Sequence, residues 1–134
     1  MPVLVDSNVV LDVVTDDPLW ADWSDEAITR HQAAGLIVNP IVYSELCAGA
    51  ASPVEVDELL ESLKLGFQEI PRDGLYLAAK AFLQYRRQGG TKTSTLPDFF
   101  IGGHAQAVGI PILTRDTARY QTYFPKVELI SPPP

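Results

Sequence analysis

At 134 residues, with 46% hydrophobic and 20% charged side chains, the chain has the make-up of one globular domain spanning 1–134, and nothing in its composition requires a second. A formal charge of −7 excludes broad adhesion to nucleic acid through a basic surface, because phosphate affinity rests on Lys and Arg. The single cysteine, Cys47, excludes an internal disulfide and reads as a small buried apolar residue. The amino terminus has no basic stretch followed by an apolar one, and no run approaches the roughly 20 apolar residues that a bilayer requires, so a cytoplasmic location is expected.

Val3-Leu4-Val5 is an apolar run without alternation, the pattern of a strand buried on both faces inside a parallel sheet. It stops at Asp6, and Ser7 and Asn8 are good helix caps leading into Val9-Val10-Leu11. In open α/β sheets, ligands gather just beyond the carboxyl ends of strands, although an aspartate there also serves simply as a cap. Thr15-Asp16-Asp17-Pro18 reads as a turn. From Trp20 to Ala34, the residues Trp20, Trp23, Ala27 and Ile28 recur at three- and four-residue steps, which gives a helix one apolar face. The two tryptophans read as core, with a docking groove for another chain as the alternative. His31 reads as a cation at the helix end rather than a metal ligand. After Gly35, Leu36–Val38 forms a second buried strand, and a helix over 41–49 carries Glu45 one turn in, aimed at the same rim as Asp6; a solvent-facing glutamate is the alternative. Pro53 opens a further helix with Val54, Leu59, Leu60 and Leu63 as its apolar stripe.

Residues 66–70 alternate like an edge strand, and Asp73 caps a long helix with Leu75, Leu77, Ala78, Ala81, Phe82 and Tyr85 inward. That helix ends in Arg86-Arg87-Gln88-Gly89-Gly90 and runs into Thr91–Thr95, the one basic, hydroxyl-rich segment of an acidic chain. Arg86, Arg87, Lys92 and Thr93, with Arg115 further on, are candidates for holding a phosphate backbone; arginines in a last helical turn also complement the helix dipole. Thr95 is positioned to cap the next helix, and Asp98 lies where its dipole favours an anion. Gly102 and Gly103 inside that helix cost about 1 kcal/mol each relative to alanine, which implies close packing, expected against the sheet. His104 reads as a packed structural residue. Residues 109–113 make a fourth strand ending at Thr114-Arg115-Asp116, where Asp116 is equally able to cap a helix over 117–124. Lys126–Ile130 alternates like a last strand before a frayed Ser131–Pro134 tail.

Alternating strands and helices imply an α/β fold: a three-layer α/β/α arrangement around a central, mainly parallel sheet of four to five strands. In that architecture Asp6, Glu45, Asp98 and Asp116 fall on one rim, although each alone is better explained structurally than catalytically. The order and spacing of Val3-Leu4-Val5-Asp6-Ser7-Asn8, Tyr43-Ser44-Glu45-Leu46, the run Leu96-Pro97-Asp98-Phe99-Phe100-Ile101-Gly102-Gly103-His104-Ala105 and Leu113-Thr114-Arg115-Asp116 resemble the PIN-domain ribonucleases, especially the VapC-type toxins of bacterial toxin–antitoxin pairs. The resemblance implies that Asp6, Glu45 and Asp98 bind Mg²⁺ or Mn²⁺, that Asp116 completes the acidic set, and that Asn8 and Thr114 support it by hydrogen bonds. Alanines usually stand in that family where this chain has Gly102 and Gly103. The implied activity is endonucleolytic cleavage of RNA by metal-activated water, leaving 5′-phosphate and 3′-hydroxyl ends. The implied partners are a cognate antitoxin that inserts an arginine into the site, and a second copy of the chain in a homodimer.

Independently of any family, clustered acids suit one or two Mg²⁺ ions, and without metal they repel one another. Replacing Asp6 or Asp98 by asparagine is therefore expected to raise the melting temperature of the metal-free protein. Two other readings stay open. A PIN-like module without catalysis would bind RNA or protein only. An aspartate-dependent phosphatase would also place an aspartate after its first strand, but a second aspartate is wanted where this chain has Asn8.

Overall fold

A computed structural model describes residues 1–134, with strands β1 (Val3–Val5), β2 (Leu36–Val38), β3 (Leu65–Phe67), β4 (Ile112–Leu113) and β5 (Leu129–Ile130). They form one sheet in the order β3-β2-β1-β4-β5, and every neighbouring pair is parallel. Register places Val3 beside Leu36, and Val5 beside Leu113. Parallel neighbours need crossovers, and helices supply them. Between β1 and β2 run α1 (Ser7–Val14) and α2 (Ala21–His31); between β2 and β3 run α3 (Pro40–Cys47) and α4 (Pro53–Ser62). Helices α5 (Arg72–Arg87) and α6 (Pro97–Val108) link β3 to β4, and α7 (Ala118–Tyr123) links β4 to β5. The result is the three-layer α/β/α architecture, and its covered faces explain why β1, β2 and β4 are apolar at every position.

The order of the strands decides where a site belongs. From the central β1 the chain builds outward through β2 and β3, then returns to add β4 and β5 on the other side. The carboxyl ends of β1 and β4 therefore flank a switch point, where neighbouring connections depart in opposite directions and leave a crevice. Leu4, Val5, Val9, Val10, Val38, Ile112 and Leu113 are fully buried beneath it, and Ile28, Phe99, Ile101 and Tyr120 pack around them.

Several local expectations are corrected. The edge strand is Leu65–Phe67: it begins at Leu65, which is buried and pairs with Leu36, and it stops before Gln68, so only the first two residues of the alternating run 66–70 lie in it. The last strand is shorter than 126–130, and α2 ends at His31 before a 3₁₀ turn over Gln32–Ala34. On α4 the buried stripe starts at Val56 with Leu60, while Val54 is 61% exposed, because two residues of helix carry it half-way round the cylinder. Leu75 stands at the solvent edge of α5, whose buried positions are Gly74, Ala78 and Ala81, and the residue at the helix cap is Pro71 rather than Asp73. The glycines of α6 pack against α5 and α7, not against the sheet. A Cβ on Gly103 would stand 2.3 Å from the Gly74 carbonyl oxygen, and one on Gly102 would stand 2.3 Å from the Phe124 ring. Cys47 is half-buried against the core, and no helix is long and apolar enough to cross a membrane.

Candidate active site

Asp6 is where β1 ends: its N–H donates to the Leu113 carbonyl of β4, and its extended backbone makes it, rather than Ser7 or Asn8, the cap of α1. Its side chain is 4% exposed and takes up donors from three directions. Oδ1 accepts from the Ser7 N–H at 2.8 Å. Oδ2 accepts from the Thr114 hydroxyl at 2.9 Å, the Tyr120 hydroxyl at 2.9 Å and the Asn8 amide at 3.4 Å. Burial pushes this carboxyl up from its ordinary range, the hydroxyls of Tyr120 and Thr114 and the Ser7 N–H pull it down, and the charge of Asp116 adds to the upward push. Asn8 and Thr114 tie the two strand ends together. The Asn8 amide donates to Thr114 Oγ1 at 3.2 Å, and its Oδ1 accepts from the Arg115 N–H at 3.3 Å.

The other three acids arrive from separate elements. Asn39 caps α3 by accepting from the N–H groups of Ile41 and Val42, and this sets Glu45 one turn in, where it accepts from the Ser7 hydroxyl at 3.1 Å. Asp98 lies in the first turn of α6, whose cap is Leu96 with no side-chain bond, so Thr95 does not serve. Asp116 follows β4 in the loop before α7; the cap there is Thr117, and the Asp116 N–H donates to Thr114 Oγ1 at 3.1 Å. Burial pushes Glu45 up, and the charges of Asp6 and Asp98 push in the same direction against the Ser7 hydrogen bond. For Asp98, burial, Asp6 and Asp116 together raise the carboxyl to about 6, despite the opposing charge of Arg119. The helix N-terminus favours an anion, yet the neighbouring carboxylates and lost hydration outweigh it. The four acids thus feel one another electrostatically across a single rim, but no three of them stand as a ready-made ligand set. All-oxygen carboxylate donors are the chemistry that Mg²⁺ or Mn²⁺ prefers, and neighbouring carboxylates disfavour one another's ionised form.

Two residues of this rim escaped the sequence reading. Tyr120, 1% exposed, is bonded to Asp6, and burial with the charges of Asp6 and Asp98 raises its hydroxyl well above the usual tyrosine range. Arg119 lines a cleft of about 410 Å³ together with Tyr85, Asp98, Asp116, Thr122 and Tyr123. Their only sequence signal was their place in the first turns after Asp116. Among the basic candidates, Arg115 is committed elsewhere. It makes a two-pronged pair with Asp12, 2.6 and 2.9 Å long, and lies over the Trp20 ring. Asp12 is 3% exposed and also accepts from Ser24 at 2.8 Å, so this pair locks α1, α2 and the loop after β4 together. Trp20 is thereby half-covered, and Trp23 packs on the core. Arg86 donates to the carbonyls of Gly90 and Lys92, which shapes the loop; Arg87, Lys92 and Thr93 are exposed. His104 is buried, and its Nδ1 lies 3.2 Å from the Asn39 amide, so it braces the cap of α3 against α6.

A parallel α/β domain with four carboxylates drawn to the switch point of its sheet is a recognisable class, and its members are open to comparison by both sequence pattern and shape. The PIN domain family model matches residues 3–125, and the chain belongs to that family. Its fold is also that of several solved structures. VapBC2 of Rickettsia felis, bound to a DNA fragment from its promoter, superposes with a TM-score of 0.76 at 14% identity, covering 99% of this chain and 100% of that one. VapBC-1 of Haemophilus influenzae gives 0.72 at 16% identity and covers 98% of each chain. A toxin–antitoxin complex of Klebsiella pneumoniae gives 0.68 at 19% identity, again covering 98% of each. No protein of curated function matches this chain in sequence.

Proposed function

We propose that this chain is a Mg²⁺- or Mn²⁺-dependent endoribonuclease and the toxin of a toxin–antitoxin pair. The observation that carries the reading is the placement of four acids at the switch point of a PIN-domain sheet: Ser7 bonds to both Asp6 and Glu45, Thr114 bonds to both Asp6 and Asp116, and Asp98 lines one cleft with Asp116. Asp6, Glu45 and Asp98 would hold the metal directly or through water, and Asp116 would complete the set from the loop after β4. When bound, such an ion lowers the pKa of a water and offsets charge on the phosphate. The chain's own residues do the rest. Thr114, Tyr120, Asn8 and the Ser7 N–H fix the Asp6 carboxylate in one orientation, and Ser7 does the same for Glu45. Pre-orientation of this kind removes reorganisation from the reaction and is the protein's main contribution to phosphoryl transfer.

The structural relatives named above include VapBC assemblies and a toxin–antitoxin complex, which supports a protein antitoxin as partner, with a homodimer as the further expectation. The experiment is direct: purified protein is incubated with single-stranded RNA in Mg²⁺ or Mn²⁺ and the product ends are sequenced. Cleavage should leave 5′-phosphates and disappear in excess EDTA and in Asp98→Asn. Equal cutting with and without chelator refutes the proposal.

A further inference from the structure

Arg119 stands out among the basic residues of the rim. The two ion pairs of the chain are Arg30–Glu26 and Arg115–Asp12, so the Arg119 guanidinium makes no ion pair within 4 Å, and its charge reaches Asp98 across the cleft they both line only at longer range. It lies instead against aromatic faces, 5.7 Å from the centre of the Tyr85 ring and 5.8 Å from that of Phe99. Those rings hold one another: Tyr85, Phe99 and Tyr123 meet edge to face, and Tyr85 is fixed further by accepting the Lys92 N–H and by Gly90, where any Cβ would strike its ring. A guanidinium held against an aromatic cluster through its carbon, with no hydrogen bond to the protein, keeps its N–H donors free for an acceptor such as a phosphate oxygen. It also places a positive charge beside Asp98 and Asp116 in a chain whose net charge is −7.

We infer that Arg119, backed by Tyr85 and Phe99, is the phosphate-binding residue of a nucleotide subsite in this cleft, with Tyr85 and Tyr123 as the walls beside which an RNA base lies. The inference rests on the RNA-cleaving reading and deepens it, since it says how the strand is held beside the acids. It assigns the phosphate contact to the α7 side of the rim rather than to Arg115, which Asp12 occupies.

The test is binding, kept apart from cleavage. Fluorescence anisotropy with a short, labelled, phosphorothioate-linked single-stranded RNA in Mg²⁺ is measured across a salt series for the wild-type chain and for Arg119→Ala, with Arg30→Ala on α2 as control. Loss of one phosphate contact should weaken binding about tenfold and flatten the log–log salt slope by about 0.7, while the control stays at wild-type values. Because Arg119 also covers Phe99, Arg119→Lys and Arg119→Gln are compared directly. Lysine should keep the slope and glutamine lose it; equal slopes for the two overturn the inference, whatever alanine does to folding. Wild-type protein that binds with an affinity and slope matched by Arg119→Ala overturns the subsite and leaves the nuclease reading intact. Wild-type protein that does not bind the RNA at all overturns both.

Discussion

Replacing Asp98 by asparagine in the metal-free protein is expected to raise its melting temperature, and the structure sets the size of the gain. The Asp98 carboxyl rises from 3.8 to about 6, chiefly through burial and secondarily through Asp6 and Asp116. A folded pKa above the unfolded one means that ionisation opposes folding. The cost is absent below about pH 3.8, grows as pH rises through the interval to about 6, and is complete above it. Two pKa units correspond to about 3 kcal/mol, and screening at this half-exposed side chain reduces that to about 1–2 kcal/mol. For a chain of this size the gain translates to roughly 3–8 °C. Differential scanning fluorimetry in EDTA reads it directly, at pH 8 and at pH 4. The variant should melt higher at pH 8, and the advantage should largely vanish at pH 4, where folded Asp98 is protonated in the parent. A melting temperature unchanged or lowered at pH 8, or a gain that persists undiminished at pH 4, refutes the account of a carboxyl raised by burial and by its acidic neighbours. Asp6→Asn does not share the prediction in full. An amide has one acceptor oxygen, whereas the Asp6 carboxylate accepts from Ser7, Thr114, Tyr120 and Asn8 through two, and relief of charge is offset by donors left without a partner.

Tyr120→Phe removes a buried hydroxyl that donates to Asp6, and is expected to cost about 1–3 kcal/mol of stability in urea denaturation; a loss below about 0.5 kcal/mol argues that the bond contributes little. Gly103→Ala presses a methyl group into the Gly74 carbonyl of α5 and should destabilise by about 1–3 kcal/mol, whereas Gly49→Ala, with open space around the added carbon, should not; equal melting temperatures for the two variants contradict the packing described.

Much of the architecture was legible in residue order because it depends on short-range patterns. Val3–Val5, Leu36–Val38 and Ile112–Leu113 are apolar throughout since both sheet faces are covered, and the helices between them make the sheet parallel. Where patterns are weak, boundaries moved: Gly66 to Ile70 alternates like a strand, but pairing with Leu36 starts one residue earlier. The acids were legible as candidates for the same reason, each marking the end of a strand or the opening turns of a helix.

What residue order does not carry is which side chains meet once the elements pack. Gly74 and Gly103 face each other because α5 crosses α6 at backbone distance, a pairing that periodicity on either helix leaves open. Arg115 and Arg119 are four positions apart on the same stretch, with the same chemistry, and only their neighbours differ. One meets buried Asp12 from α1, the other a ring cluster from α5 and α6. Tyr120 reaches Asp6 across 114 residues of chain. Local sequence specifies backbone conformation and which face is apolar, through sterics and hydration that act over a few residues. Long-range contacts follow from how whole surfaces interlock, and that is a property of the assembled layers.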